Sequence, residues 1–317
     1  MAIKQFKRHT TSVIKPTRPK VTSIVLTWNS ADYIETCIDS LLDSGYKTDL
    51  LIIDNNSSDN TRELITCKYP SLKLINTGEN LGYAGGNNIG ILEAITNNAD
   101  YIFILNPDAR IAKNCITSMV GRIESDTELA GVSPKIYYEG SNDIWFAGSV
   151  IKWHSGVTTQ PGGRDEGQFD SVQYTERLNG CAMLIKTSVI KEFGLMDNNF
   201  FLYYEESDWT VTFTEANYRL GFEPSAMVWH AVSSSTGGHS STLYHYYMTR
   251  NKLYFVHKHH PLMIPVVFTF MIFDSCLQIL IVIKRSNLRR AFLISRAISK
   301  GYFDYFTRRL GKQSIPS

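Results

Sequence analysis

The stretch YIFILNPD, Tyr101 to Asp108, places an asparagine, a proline and an aspartate directly behind five apolar or aromatic residues. A run of that length fits a fully buried strand, and the proline ends it because it cannot donate to a sheet ladder. A carboxylate at the C-terminal end of a strand, beside an Asn amide, suits a divalent cation bridging a diphosphate. Asn-Pro-Asp is also good turn chemistry, so Asn106 and Asp108 alone leave both readings open. A second group of acids, Glu205, Glu206 and Asp208, lies in FFLYYEESDWTVTF. The dipole at a helix N-terminus favours acids by about 0.3–1 kcal/mol each, which accounts for one or two of them. Three acids within four residues exceed what capping requires, and a carboxylate set among aromatics can act as a general base. His230 closes another apolar run, as a ligand or as a structural residue; His154, His239 and His245 have no comparable setting.

These groups need elements to position them. VTSIVLT, residues 21–27, reads as a first buried strand, followed by a helix over about residues 31–44 with Ile34, Ile38, Leu41 and Leu42 on one face. LLIID ends in Asp54, Asn55 and Asn56, and LKLI, residues 72–75, is a third strand. ENLGYAGGNN reads as a glycine-rich loop that becomes a helix along Ile89, Leu92 and Ile95, and the YIFIL run is the fourth strand. Such alternation argues for an α/β fold with a mostly parallel sheet and helices on both faces. Right-handed crossovers point successive strand ends the same way. Thr27, Trp28 and Asn29, then Asp54, Asn55 and Asn56, then Asn106 and Asp108 therefore converge on one edge, the arrangement of a nucleotide site. Beyond a helix over about residues 113–124, GVSPKIYY, DIWFAGSVIKW and YTERLNGCAMLIK read as antiparallel strands, and residues 158–170 as a mobile loop. A helix begins at the acid cluster, FEPSAMVWH is a strand ending in His230, and SSSTGGHSST is suited to a closing loop.

With 317 residues, 43% of them hydrophobic, the chain can bury a sizeable core and carry an appendage. The net charge of +2 hides a segregation. Residues 1–20 hold six Lys or Arg and no acid, residues 250–317 hold twelve against Asp274 and Asp304, and the body keeps fourteen basic and twenty-eight acidic residues. Basic ends on an acidic body point to an anionic partner, a phospholipid headgroup layer or nucleic acid. LMIPVVFTFMIFDSCLQILIVI, residues 262–283, is long enough to cross a hydrocarbon core of about 30 Å, yet it carries Asp274 and has basic residues on both flanks. That favours a re-entrant or interfacial helical hairpin over a single crossing, the alternative being a buried soluble helix. The organisation expected is a basic arm (1–20), a main domain (21–242) and a helical, membrane-associated region (243–317). Five scattered cysteines without a CxxC pair imply a reducing compartment, and no secretory signal is expected. No GxGxxG opens the first helix, which argues against a dinucleotide oxidoreductase or epimerase.

IVLTWN, LIIDNNSSDNT, ENLGYAGGNN, FILNPDA, LNGCAMLIK, YYEESDW and VWH, in that order, make the chain resemble the inverting family-2 glycosyltransferases of the GT-A fold. The likeness covers about residues 21–235 and is greatest to the rhamnosyltransferase-like members that build bacterial surface polysaccharides, O-antigen among them. It implies a Rossmann-like, mostly parallel sheet with an antiparallel acceptor-side extension. It further implies that Thr27, Trp28 and Asn29 form the first nucleotide-contacting turn, that Asp54, with Asn56 beside it, reads the base or ribose, and that Asn80, Gly82, Tyr83, Gly85, Gly86 and Asn87 close over the donor. Asn106 and Asp108 match the Asp-x-Asp metal motif, with Asn in the first place. His230 is similar to a histidine that completes the metal site, for Mg²⁺ or Mn²⁺. Glu206 aligns with the catalytic base, with Asp208 the alternative. The partners implied are a nucleotide-diphosphate sugar, dTDP-rhamnose foremost, a lipid-linked saccharide acceptor and the anionic cytoplasmic face of the bacterial inner membrane, with no nucleic acid. A catalytically degenerate nucleotide-sugar-binding subunit or scaffold is the other reading.

Overall fold

A computed structural model of the chain describes residues 18–232, 241–285 and 288–315. The arm before residue 18 and most of SSSTGGHSST, read above as a basic tail and a closing loop, lie outside the described residues.

Four strands, β1 (Val21–Thr27), β2 (Asp49–Asp54), β3 (Lys73–Asn76) and β4 (Tyr101–Leu105), pair in parallel in the order β3-β2-β1-β4. Their residues alternate between two cores, as the pleat requires. Tyr101, Phe103 and Leu105 face α1 (Ile34–Leu42), whose Ile34, Cys37, Ile38 and Leu41 form one buried stripe. Ile102 and Ile104 face α3 (Gly82–Thr96) on the other side. The second helix, α2 (Thr61–Lys68), lies between β2 and β3 in the chain.

The sheet continues past β4 in mixed sense. After β5 (Ala109–Ile111), α4 (Cys115–Glu124) and β6 (Leu129–Tyr138), the chain makes β7 (Asp143–Phe146), the small hairpin β8 (Val150–Lys152) and β9 (Val157–Thr159), and β10 (Gly163–Arg164). β11 (Gln173–Thr175) precedes β12 (Ala182–Lys186), which is antiparallel to both β4 and β6. Helices α5 (Thr187–Phe193) and α6 (Glu205–Glu215) lead to β13 (Arg219–His230), parallel to β6 and antiparallel to β5. Two expected single strands are each broken: DIWFAGSVIKW at Ala147–Ser149, where Gly148 takes a φ of +91°, and YTERLNGCAMLIK between Thr175 and Ala182. Part of the expected loop over residues 158–170 is strand, in β9 and β10.

The glycine-rich loop is also corrected. Helix α3 begins at Gly82, so Tyr83, Gly85, Gly86 and Asn87 are helical. A Cβ on Gly86 would collide with the Leu26 side chain, so the glycine serves the close approach of α3 to β1.

Among the described residues, three α-helices follow β13: α7 (Thr242–His259), α8 (Ile264–Arg285) and α9 (Leu288–Phe306). Phe268 of α8 packs against Tyr302 and Phe306 of α9, while Ala297 of α9 joins Tyr246 and Tyr247 of α7 in a shared cluster. The segment Pro261–Lys284 is long and apolar enough, by length and composition, to cross a membrane, and its most apolar stretch, of mean hydropathy 2.4, is only 11% buried. That low burial is compatible with membrane association and sets the segment apart from a mostly buried core helix. Leu262, Phe273, Leu277 and Leu280, with Leu288 and Phe292 of α9, present their side chains to the outside.

Candidate active site

The parallel register sets Thr27 beside Asp54 and Val25 beside Leu105, so the ends of β1, β2 and β4 open on one edge. The pairing of His230 with Ala109 brings the end of β13 next to the residues that follow β4. As a result the Asp108 carboxylate lies 3.1 Å from His230 Nε2, although 122 positions separate them, and both residues are buried. The Trp145 ring meets the His230 ring edge-on, with centroids 4.7 Å apart, and fixes its orientation. His230 Nδ1 is buried and has no hydrogen-bond partner among the described residues.

Asp108 and His230 face a cleft of about 820 Å³, which Asn106, Trp28, Asn80, Gly82, Tyr83 and Glu206 also line. These residues, singled out in the sequence, are thus brought to one cavity together with Asn55 and Glu205. The others do not line it. Thr27 and Asp54 are fully buried, and the Asp54 carboxylate accepts the Ser57 N–H and pairs with Arg62 Nε at 3.4 Å. Asn29, at a φ of +49°, accepts the Ser58 N–H at 2.8 Å and so braces the neighbouring strand end, while Asn56, at +63°, is exposed. Gly86 and Asn87 are buried within α3.

The far wall is the start of α6. Phe201, Tyr203 and Tyr204 hold φ values of 65°, 69° and 74°, a left-handed conformation that side chains other than glycine adopt at a cost of roughly 1–3 kcal/mol each. Asn251 of α7 stabilises this turn, its amide nitrogen donating to the carbonyls of Phe200, Leu202 and Tyr203 at 2.8–2.9 Å. The turn delivers Glu205 and Glu206 to the cleft together. Burial, reinforced by the Glu206 charge, pushes the Glu205 carboxyl well above the usual carboxylate range. Glu206 accepts from Arg177 Nη1 at 3.1 Å, and the same guanidinium holds Gln160 Oε1 at 3.0 Å and Ser149 Oγ at 3.1 Å. The two adjacent carboxyls thus meet the cleft in different settings, Glu205 buried with its proton affinity raised and Glu206 ion-paired to Arg177. Asp208 belongs elsewhere. It points away from the cleft and is locked between Lys258 Nζ at 2.7 Å and His259 Nε2 at 2.9 Å.

Sequence reasoning placed Asn55 at the converging strand ends but missed Trp145, Gln160 and Arg177. Asn55 donates to Asn80 Oδ1 and accepts the Leu81 N–H, which ties the end of β2 to the start of α3. Gln160 and Arg177 sit in irregular segments where no periodicity marks them, and Trp145, in β7, reads as an ordinary strand aromatic.

The Asp108–His230 pair fits a divalent cation. Two donors about 2.1 Å from a shared octahedral ion lie about 3.0 Å apart in neighbouring positions, close to the 3.1 Å observed. Among the described residues no three His, Cys, Asp or Glu side chains converge on one point. The pair alone would supply two ligands, so a cation held there would take the rest from a bound ligand and water.

A family model, glycosyl transferase family 2, matches residues 22–193. The low-salt glycan biosynthesis hexosyltransferase Agl10 of Haloferax volcanii is 26% identical over 178 residues, 55% of this chain and 55% of that protein. The chain thus spans about half the length of that relative. The N-acetylglucosaminyl-diphospho-decaprenol L-rhamnosyltransferase of Mycobacterium tuberculosis is 24% identical over 238 residues, covering 68% of this chain and 76% of the other. Among solved structures, the mannosyltransferase PcManGT of Pyrobaculum calidifontis, in complex with GDP-Man and Mn²⁺, superposes with a TM-score of 0.55 at 14% identity, over 93% of this chain and 89% of that one. The architecture is of the GT-A type.

Proposed function

The chain belongs to glycosyl transferase family 2, and on that premise we propose that it moves a sugar from a nucleotide-diphosphate donor to an acceptor hydroxyl with inversion. The observation that carries this reading is the sharing of one cleft by Glu206 and the Asp108–His230 pair. Glu206 takes the proton of the acceptor hydroxyl, whose oxygen bonds to the anomeric carbon as the bond to the diphosphate oxygen breaks. The proton then rests on Glu206, and the nucleoside diphosphate leaves. Arg177 holds the Glu206 carboxylate in place. Asp108 and His230 would hold Mg²⁺ or Mn²⁺, with Asn106 on the neighbouring donor oxygens. When bound, such an ion neutralises charge on the departing diphosphate.

Rhamnose from dTDP-rhamnose and a lipid-linked saccharide are the donor and acceptor we favour, supported by the rhamnosyltransferase activity for which the mycobacterial relative is named. The exposed apolar face of α8 and α9, with the basic C-terminal region, supports work at the cytoplasmic face of a bacterial membrane, in surface polysaccharide synthesis. Incubation with dTDP-rhamnose and a lipid-linked acceptor, with and without EDTA, tests the reading. Transfer that EDTA suppresses is expected; full transfer in EDTA would remove the metal, and stabilisation by a different nucleotide sugar in a thermal-shift panel would replace the donor.

A further inference from the structure

We propose that the C-terminal segment, residues 308–315, is part of the donor site and that the Lys312 ammonium contacts the donor's diphosphate. This rests on the transferase reading above. The segment leaves α9 and crosses α7 to the mouth of the cleft, which Lys312, Gln313 and Ile315 help to line. Its path is fixed from within. Arg250 of α7 is fully buried, and its guanidinium donates to the Gly311 carbonyl at 2.6 Å and to the carbonyls of Asn199 and Phe200 at 2.9 and 2.8 Å. The Gly311 N–H donates to the Asn199 carbonyl at 2.7 Å, and the Gln313 N–H to Tyr247 Oη at 3.2 Å. One buried cation thereby ties the segment to the strained turn that presents Glu205 and Glu206.

Lys312 Nζ donates to the Asn80 carbonyl at 3.0 Å. An ammonium has three N–H donors, so two remain for a ligand. Asn80 is bonded to Asn55 at the end of β2, which sets Lys312 on the β1–β2 flank of Asp108, whereas Arg177 and Glu206 stand on the β12 flank. The two flanks suit a donor on one side and an acceptor on the other. The charge in the cleft points the same way. Asp108, Glu205 and Glu206 line it, and the Arg177 guanidinium is occupied by Glu206, Gln160 and Ser149. An incoming diphosphate adds negative charge to a site already rich in carboxylates, and Lys312 is a lysine placed to offset it.

The test is titration of the full chain with dTDP, UDP and GDP in Mn²⁺, alongside Lys312→Ala, Lys312→Arg and Lys312→Glu. Lys312 is exposed, so unliganded melting should be unchanged and serves as the folding control. Loss of one charge-assisted contact is expected to weaken nucleotide binding about tenfold in the alanine variant and more in the glutamate variant, with partial retention in the arginine variant. The donor KM should rise while kcat changes little, since the contact is made in the ground state. A lipid-linked diphosphate acceptor is titrated in parallel. If only its affinity falls, Lys312 serves the acceptor and the donor assignment is overturned. Unaltered nucleotide binding in Lys312→Glu overturns the inference and leaves the transferase reading standing; a wild-type chain that binds no nucleoside diphosphate overturns both.

Discussion

Asp208→Asn separates architecture from chemistry within one helical turn. Asp208 is buried and closes two ion pairs with α7, to Lys258 and His259. Removing one side of a buried pair costs about 3–5 kcal/mol. Both cations here keep another acid, Lys258 with Asp197 at 3.0 Å and His259 with Glu215 at 2.9 Å, and the Lys258 side chain is 31% exposed. Those retained contacts reduce the expected loss to about 2–3 kcal/mol, a fall in Tm of roughly 4–10 °C for a domain of this size. The pH dependence has a definite sign. Burial opposes protonation of His259, but its bonds and charge contacts with Asp208 and Glu215 outweigh that, and its pKa is raised above 6.5. A raised histidine contributes stability that is full below about pH 6.5 and fades as pH climbs through the folded value. Wild-type Tm should therefore decline over that interval, and the decline should flatten in Asp208→Asn. Calorimetry across pH 5.5 to about 8.5, paired with a sugar-transfer assay at a temperature where both proteins are folded, decides the matter. Unchanged Tm with abolished transfer would refute the reasoning and return Asp208 to the catalytic role.

Other perturbations probe neighbouring parts of the account. Glu205→Gln copies the protonated side chain, so it should fold and remain active. Because an acid with a raised folded pKa loses stability as pH rises from its ordinary value of 4.5 toward the folded one, the wild-type chain should show that loss and the variant should not, by denaturant midpoint against pH. Arg177→Lys keeps a charge but loses the fork that joins Glu206, Gln160 and Ser149, and kcat should fall by about 10- to 100-fold with nucleotide binding preserved, as steady-state kinetics and titration would record. Phe273→Glu with Leu277→Glu, at side chains 73% and 57% exposed, should leave Tm intact and release the chain from vesicles containing anionic lipid in a flotation assay. Burial of one such side chain contributes about 1.5–3 kcal/mol, so the double change should lower partitioning by more than about a hundredfold.

The strand ends were legible in the sequence because apolar runs of five to seven residues stop at polar ones, and parallel topology then fixes which stops meet. Asn106 and Asp108 were found in this way, and His230 by the same pattern at the end of β13. The glycine-rich stretch misled because glycine marks both a loop and a close helix–sheet contact. Gly86 is small to admit Leu26, a fact that only the packing of α3 on β1 reveals. Arg177 was invisible because its role depends on three partners, each distant in the chain. Glu206 and Asp208 could not be told apart by type or spacing. Two positions along a helix turn a side chain through about 200°, which carries Glu206 to the cleft and Asp208 to α7.

The central claim is that Glu206 accepts the acceptor's proton and does not serve to bind the nucleotide. Glu206→Gln, assayed for transfer and titrated with nucleoside diphosphate in Mn²⁺, tests it directly. In this variant kcat should fall by about 10²–10⁴ while nucleotide Kd stays within about twofold of wild type. Near-normal transfer, or loss of nucleotide binding in the same variant, would contradict it.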